Sequence, residues 1–419
     1  MEVAGIISGV VAVIVLSYKG ISLGYAMLVA TFLVAVLSGM GFSYSVQVLE
    51  QAVTDNMTIT LVLAIILIGV LANLMKETNI LDIMLKKLTS LLKDIRLLII
   101  FIPALIGLLT VPGGAVLSAP MAGEAGNKVG MNVEKISAAN VIYRHIGNLI
   151  FPLHPSLILL AEMSEVQIRK IIFMNFPVFV FALIVTFYFL FKGISFSNGE
   201  EGARNSYIKD FFSFFRSILP IITVLFLAIV FEFYLPYALM IGVIVAFVNY
   251  MDVTEKEKRI SFSNLFSQFK QRFMYILNGI NKKMVLAIIG IMVFRHFVEA
   301  SGGVDTIASI LFYLGLPSSI LILITTFITG LFAGNPIASI GITYPILSPL
   351  ISGSASVELL SLLFVGNLTG YILSPLHLCL IMTCEYLKAA LKSTYLIMLP
   401  PVIIIVIGSF LYTSAWQLF

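Results

Sequence analysis

Helix breakers and small polar residues gather at four places in an otherwise apolar chain, and chemistry is most readily sited there. Thr110, Pro112, Gly113, Gly114 and Ser118 form one group, and Gly334, Asn335, Ser339 and Thr343 a second. Gly147 and Asn148 make a third, and Gly366, Asn367, Thr369 and Ser374 a fourth. A break in an apolar helix frees backbone N–H and C=O groups that hydrocarbon cannot satisfy. Half-helix N-termini then attract anions, while freed carbonyls hold cations. The side chains in these groups offer hard oxygen ligands, suited to Na⁺ or to hydrogen bonds with a carboxylate. The same small residues also let helices pack closely, which is their structural role elsewhere.

Ionisable residues lie close to these breaks. Arg144, His145, His154, Glu162, His377 and Glu385 fall in apolar segments, where charge is costly and marks a function by default. Arg144 precedes the Gly147–Asn148 pair and can meet a substrate carboxylate, or instead snorkel or pair with a structural acid. His154 and His377 each follow a Pro-Leu dipeptide; each can relay protons or, as a neutral ring, bond an exposed carbonyl. The expected substrate contacts are therefore Thr110, Pro112, Gly113, Gly114, Ser118, Arg144, Asn148, Asn335, Ser339, Asn367 and Thr369. Gly113, Asn148, Gly334, Asn335, Gly366, Asn367, His154 and His377 are the expected ion-coupling positions. The two cysteines, Cys379 and Cys384, do not have a metal-site spacing and read as packing. The chain has no phosphate-binding loop, dinucleotide fingerprint or zinc signature, so no catalytic residue, cofactor or metal is expected beyond possible Na⁺.

These residues must be positioned by membrane helices. Hydrophobic residues make up 60% of 419 positions and charged residues 11%, and the mean hydropathy is +1.07. Such a composition fits a multi-span membrane protein and not a soluble core. Glu2 precedes the first apolar stretch and no small-residue cleavage site ends it, so no cleavable signal peptide is expected. Spans read at 3–18, 21–40, 57–76, 136–163, 168–192, 213–233, 235–251, 283–298, 357–387 and 394–416. Stretches 97–126 and 319–350 are interrupted at mid-length. Their arms, at about 21 Å, are too short for a hydrocarbon core of about 30 Å, so each predicts a re-entrant hairpin. Segment 80–95 has leucines at helical spacing opposite lysines, and with its counterpart 303–316 reads as an interfacial helix.

Basic residues are one-sided. Lys86, Lys87, Lys93 and Arg96 follow the third span and a Lys/Arg-rich linker fills 252–283, whereas 299–318 and 351–356 contain none. Placing the basic loops in the cytoplasm puts both termini outside. The hairpin at 97–126 then opens from the cytoplasm and the one at 319–350 from outside. Arg169 and Lys170 are exceptions at a helix end, where they can snorkel. A shift of about 223 residues superposes the two halves. Asp82 falls on Asp305, Gly107 on Gly330, Glu162 on Glu385 and Pro177 on Pro400; Gly147–Asn148 falls on Gly366–Asn367 if a four-residue insertion follows. Five spans per half force the second copy to insert upside down. The expected fold is thus an all-α polytopic membrane protein of two inverted repeats, each with a hairpin and a broken helix.

This pattern of hairpin tips and broken spans resembles the ion transporter superfamily, including gluconate permeases, dicarboxylate and citrate carriers, and in particular a prokaryotic integral-membrane family of unassigned function. The sodium–dicarboxylate branch carries Ser-Asn-Thr at its tips, where this chain has Pro-Gly-Gly and Gly-Asn-Pro. The resemblance implies an elevator-type homodimer in the inner membrane. Residues 1–192 would form the first repeat, with scaffold 1–76 and transport part 97–192. Residues 193–212 would be a cytoplasmic linker, and 213–419 the second repeat, with scaffold 213–298 and transport part 319–416. The function expected is secondary transport of a small organic anion coupled to Na⁺ or H⁺, with no nucleic-acid partner. A Na⁺/H⁺-type antiporter or inorganic-anion exporter is the alternative, and an intramembrane enzyme a more distant one.

Overall fold

The computed structural model describes residues 2–92, 94–108, 114–194, 204–249, 271, 273–313, 315–351 and 356–416. Thr110, Pro112 and Gly113, much of the 193–212 linker and most of the basic 252–283 linker lie outside them. The described residues are almost wholly helical. In the first half the order is α1 (Glu2–Tyr18), α2 (Leu23–Leu37), α3 (Phe42–Thr54), α4 (Asn56–Glu77), α5 (Ile80–Leu91), α6 (Ile95–Leu108), α7 (Gly114–Lys128), α8 (Val133–Ile146), a 3₁₀ turn at Gly147–Leu149, α9 (Pro155–Ser164) and α10 (Ile168–Phe191). The second half has α11 (Arg204–Ile229), α12 (Leu235–Asn249), helical residues 273–278, α13 (Lys282–Ala300), α14 (Gly303–Tyr313), α15 (Ser318–Ala333), α16 (Pro336–Leu347), α17 (Ser356–Ile372), α18 (Leu378–Leu387) and α19 (Leu391–Trp416).

Helices α4, α10 and α19, with Tyr207–Ile229 of α11, are long and apolar enough to cross a membrane, and the chain is a membrane protein. The expected spans at 136–163 and 357–387 are each cut in two, as their breakers require. Helix α3 was not among the expected elements. It buries Val48 and Ala52 while Phe42, Tyr44, Val46 and Leu49 stay exposed, a split apolar surface suited to an interface and too short to register as a span.

The halves interleave. Helix α2 packs on α13 and α12 on α4, while α1 meets α14 and α11 meets α5. Helices α2 and α13 approach at backbone distance: a Cβ at Gly24 would lie 2.5 Å from Leu286 Cγ, and one at Gly290 would lie 2.9 Å from the Gly24 carbonyl oxygen. Such small-residue crossings replace the hydrophobic drive that lipid removes. Amphipathic α5 is fastened to α11 by Asp210, which accepts from Lys87 at 2.6 Å and from Ser90 at 2.8 Å. At the other end of the bundle Arg295 of α13 pairs with Glu299 at 2.7 Å.

Both interrupted stretches fold as two-armed hairpins, α6–α7 and α15–α16. The turn of the second follows from three residues. Gly334 takes a left-handed φ of +60° and ends α15, a conformation that other residues adopt only with strain. Asn335 then caps α16, its Oδ1 accepting from the amides of Ile337 at 2.9 Å and Ala338 at 3.3 Å. Pro336 starts the helix where its missing N–H costs nothing. This use of Asn335 Oδ1 is structural and commits an atom that the sequence assigned to ligand.

Two outcomes test these contacts. Gly24→Val is expected to lower the melting temperature of the detergent-solubilised protein by several degrees, since overpacking costs about 1–3 kcal/mol. Gly41→Ala, where a Cβ meets nothing within 4 Å, changes it far less; equal losses would remove the close crossing as the cause. Asn335→Ala removes a cap worth about 1 kcal/mol, so amide exchange at Ile337 and Ala338 should quicken about fivefold while Asn335→Asp preserves protection. Unchanged exchange in the alanine variant would mean that the cap does not hold the turn.

Candidate functional site

The broken spans and hairpins meet in a buried polar region. Arm α6 crosses its own broken span so closely that a Cβ at Gly107 would overlap the carbonyl oxygen of Arg144. Arm α15 does the same at Gly330, against the carbonyl of Asn367. The second arms pack differently: α7 lies on α18, and α16 lies on α9. Each second arm therefore seats against the half-helix of the opposite broken span.

Arg144 lies at the first of these crossings. It is 5% exposed, and a Cβ at Gly114 would lie 2.5 Å from its Nη2 and 2.9 Å from its Nη1. The guanidinium is thus in contact with the first residue of α7, and a side chain there would have to displace it. Among the described residues Arg144 makes no ion pair, and its Nη1 has no hydrogen-bond partner. Residues 109–113, which precede Gly114, contain no acid. A cation in this state is costly unless an anion joins it.

The histidines differ in their surroundings although both stand just before a half-helix. His154 caps α9 and its Nδ1 shares a 2.6 Å hydrogen bond with Ser156 Oγ. His377 caps α18 and is fully buried, with its ring centroid 4.6 Å from His145 and 4.1 Å from Tyr371. Arg144 is near enough to act electrostatically on His145 and His377. Arg144, His145, Tyr371 and His377 therefore form one cluster, built from α8 and the break that follows α17.

The Gly-Asn pairs are not equivalent. Gly147 and Asn148 lie in the 3₁₀ turn at the first break. Gly366 and Asn367 lie within continuous α17, and the second break falls at residues 373–377 instead, where Pro375 cannot donate. The expected break at Gly366–Asn367 is corrected accordingly. Gly366 is there because α15 packs on it: a Cβ would reach the Leu323 carbonyl at 3.1 Å. Asn367 ties α17 to the second hairpin, its Nδ2 donating to the Pro336 carbonyl at 3.1 Å. Gly334 sits against the second break, within 2.5 Å of Leu376 Cβ if it carried a Cβ of its own.

The hydroxyls expected at the site mostly bond their own helices. Ser118 donates to Gly114 and Ala115 carbonyls, Thr369 to Val365 and Gly366, and Thr343 to Ser339. Ser374 Oγ accepts from the Leu376 amide at 3.1 Å. In contrast the Oδ1 atoms of Asn148 and Asn367 and the Oγ of Ser339 are buried with no partner. Sequence reasoning missed three polar braces. Asn140 donates to Thr383 at 2.9 Å, joining α8 to α18. Asn175 donates to the freed Leu149 carbonyl at 2.8 Å and accepts from Ser361 at 2.6 Å. An Asn in the middle of an apolar span was the available signal for Asn175.

Comparison with known proteins follows the same architecture. No curated protein matches the chain. The solved structure of the Alcanivorax borkumensis YdaH transporter, described as having an unusual topology, aligns over 97% of this chain and 98% of that one, with a TM-score of 0.64 and 15% identity. At that identity the likeness shows a shared fold. The profile of a family described as "Protein of unknown function (DUF401)" matches residues 4–414, and the chain belongs to that family.

Proposed function

We propose that the protein is a secondary active transporter of a small organic anion bearing a carboxylate. The observation that carries this reading is Arg144: a buried guanidinium at the meeting of hairpin and broken span, with an unpartnered Nη1 and, among the described residues, no ion pair. A planar carboxylate matches such a fork better than any neutral ligand. The unpartnered Oδ1 atoms of Asn148 and Asn367 are acceptors without a donor, the complement needed by a cation that travels with the anion. Coupling is to Na⁺ or H⁺, and these oxygens favour Na⁺. The similar fold of a solved transporter supports transport as the activity class.

Two inverted repeats underlie the mechanism in this reading. Helices α9 and α18 occupy Pro155–Ser164 and Leu378–Leu387, and both end at a left-handed residue, Glu165 or Lys388, with φ of 55°. The matched pairs Gly107–Arg144 and Gly330–Asn367 keep the same spacing, which pairs Arg144 with Asn367 and needs no four-residue insertion. One-sided lysines support opposite orientation of the halves in the inner membrane, with both termini outside. Hairpins and broken spans would move as an elevator against scaffold helices 1–76 and 213–298, in a homodimer related to the ion transporter superfamily.

Uptake of labelled carboxylates into proteoliposomes, with Na⁺ and pH gradients imposed separately, tests the proposal. Arg144→Gln is expected to weaken substrate by about 30-fold or more, the scale of losing one partner of a buried charge pair. Because it also removes an uncompensated buried charge, the variant should melt at a higher temperature than the parent in the absence of substrate. Flux that is absent for every carboxylate under both gradients, or that survives Arg144→Gln unchanged, would falsify the assignment.

A further inference from the structure

We infer that His145, His377 and Cys379 form a binding site for a soft monovalent metal ion, Cu⁺ by its chemistry. The side chains come from two distant segments: His145 from α8, and His377 and Cys379 from the start of α18, two residues apart. One ligand atom from each lies within 4.8 Å of the other two. A three-coordinate ion with bonds of about 2.0 Å to nitrogen and 2.3 Å to sulfur places its ligand atoms about 3.5–3.8 Å apart. A contraction of about 1 Å, within reach of side-chain rotation, therefore closes the site.

Hydrogen bonding around the histidines orients them as ligands. The Nδ1 of His145 faces the Val141 carbonyl at 2.7 Å, and the Nδ1 of His377 faces the Ile372 carbonyl at 3.3 Å. A carbonyl oxygen can only accept, so in each neutral ring Nδ1 carries the proton and Nε2 keeps its lone pair. Backbone carbonyls holding the far N–H of a ligating histidine are the usual outer shell of a metal centre. The Nε2 of His377 is buried and has no hydrogen-bond partner, which leaves an acceptor that a Lewis acid would satisfy. Tyr371 packs against both rings, with centroids 5.2 Å from His145 and 4.1 Å from His377, which fixes their orientation further.

Charge selects the ion. Binding breaks the Cys379 S–H bond, forms the metal–sulfur bond and releases the proton to water, with no electron transferred. Cu⁺ with one thiolate and two neutral imidazoles has no net charge, whereas Zn²⁺ in the same ligands leaves one positive charge beside Arg144 in an apolar interior. Two imidazoles and a thiolate also suit a soft ion and exclude Mg²⁺ or Ca²⁺. Since the ligands come from both broken spans, an occupied site ties one span to the other.

The full-length protein in detergent, kept anaerobic, is titrated with Cu⁺ held by a chromophoric chelator. One equivalent is expected to leave the chelator. Cys379→Ser should lose more than about 100-fold in affinity, beyond the 10–100-fold of an outer-shell change. Cys384→Ser should bind as the parent does, because that thiol is buried against Thr394 at 3.6 Å and outside the cluster. X-ray absorption of the loaded parent protein, which needs no variant, should show two nitrogen donors and one sulfur. No transfer from the chelator, loss with Cys384→Ser instead, a sulfur-only shell, or tighter binding of Zn²⁺ than of Cu⁺ would each overturn the inference.

Discussion

A backbone amide or carbonyl left alone in hydrocarbon costs several kcal/mol, and the rest of this structure depends on how that cost is avoided. The chain interrupts four of its apolar helices, and every interruption needs a cover. At the first break the cover is Asn175, donating to the Leu149 carbonyl. At the second it is Tyr395, donating to the Ser374 carbonyl at 2.9 Å, with the hairpin turn at Gly334 lying against Leu376. The hairpin turn is covered in its own right by the Asn335 cap.

Covering the breaks brings polar side chains into a low-dielectric interior, and that sets what the site can do. Where donors and acceptors match, as in Asn175–Ser361, they fasten one half of the chain to the other. Where they do not, as at Arg144 Nη1, Asn148 Oδ1 and His377 Nε2, they leave unused capacity. Unused capacity in a low dielectric is costly to stability and correspondingly available to a ligand.

Much of this was legible in the amino-acid sequence, because breakers inside apolar runs have few possible meanings. The two hairpins, both broken spans and amphipathic α5 and α14 follow from Pro, Gly and leucine periodicity. The Gly-Asn match misled because residue identity was read as position: Gly366 is small for the sake of α15, and the break waits for Pro375. Asn335, read from the sequence as a ligand position, also caps α16, a role its place before Pro336 makes available. Helix α3 escaped because its apolar residues are split between buried and exposed faces and form no continuous span. His377 and Cys379 are two residues apart in the sequence, but their meeting with His145 was illegible, since spacing rules see only neighbours and His145 joins them through the crossing of α8 with the second broken span.

The interleaving of the halves bears on how the molecule is made. Helix α2 leaves the ribosome with the Gly24 face uncovered, and its partner α13 is synthesised only after the whole first half and α12. Helix α4 waits in the same way for α12. The membrane must therefore hold a partly assembled chain whose small-residue faces are open to lipid or to other nascent helices. Neither half has a complete set of partners without the other, so quality control in the membrane has a natural point of inspection: the moment at which α13 closes over α2.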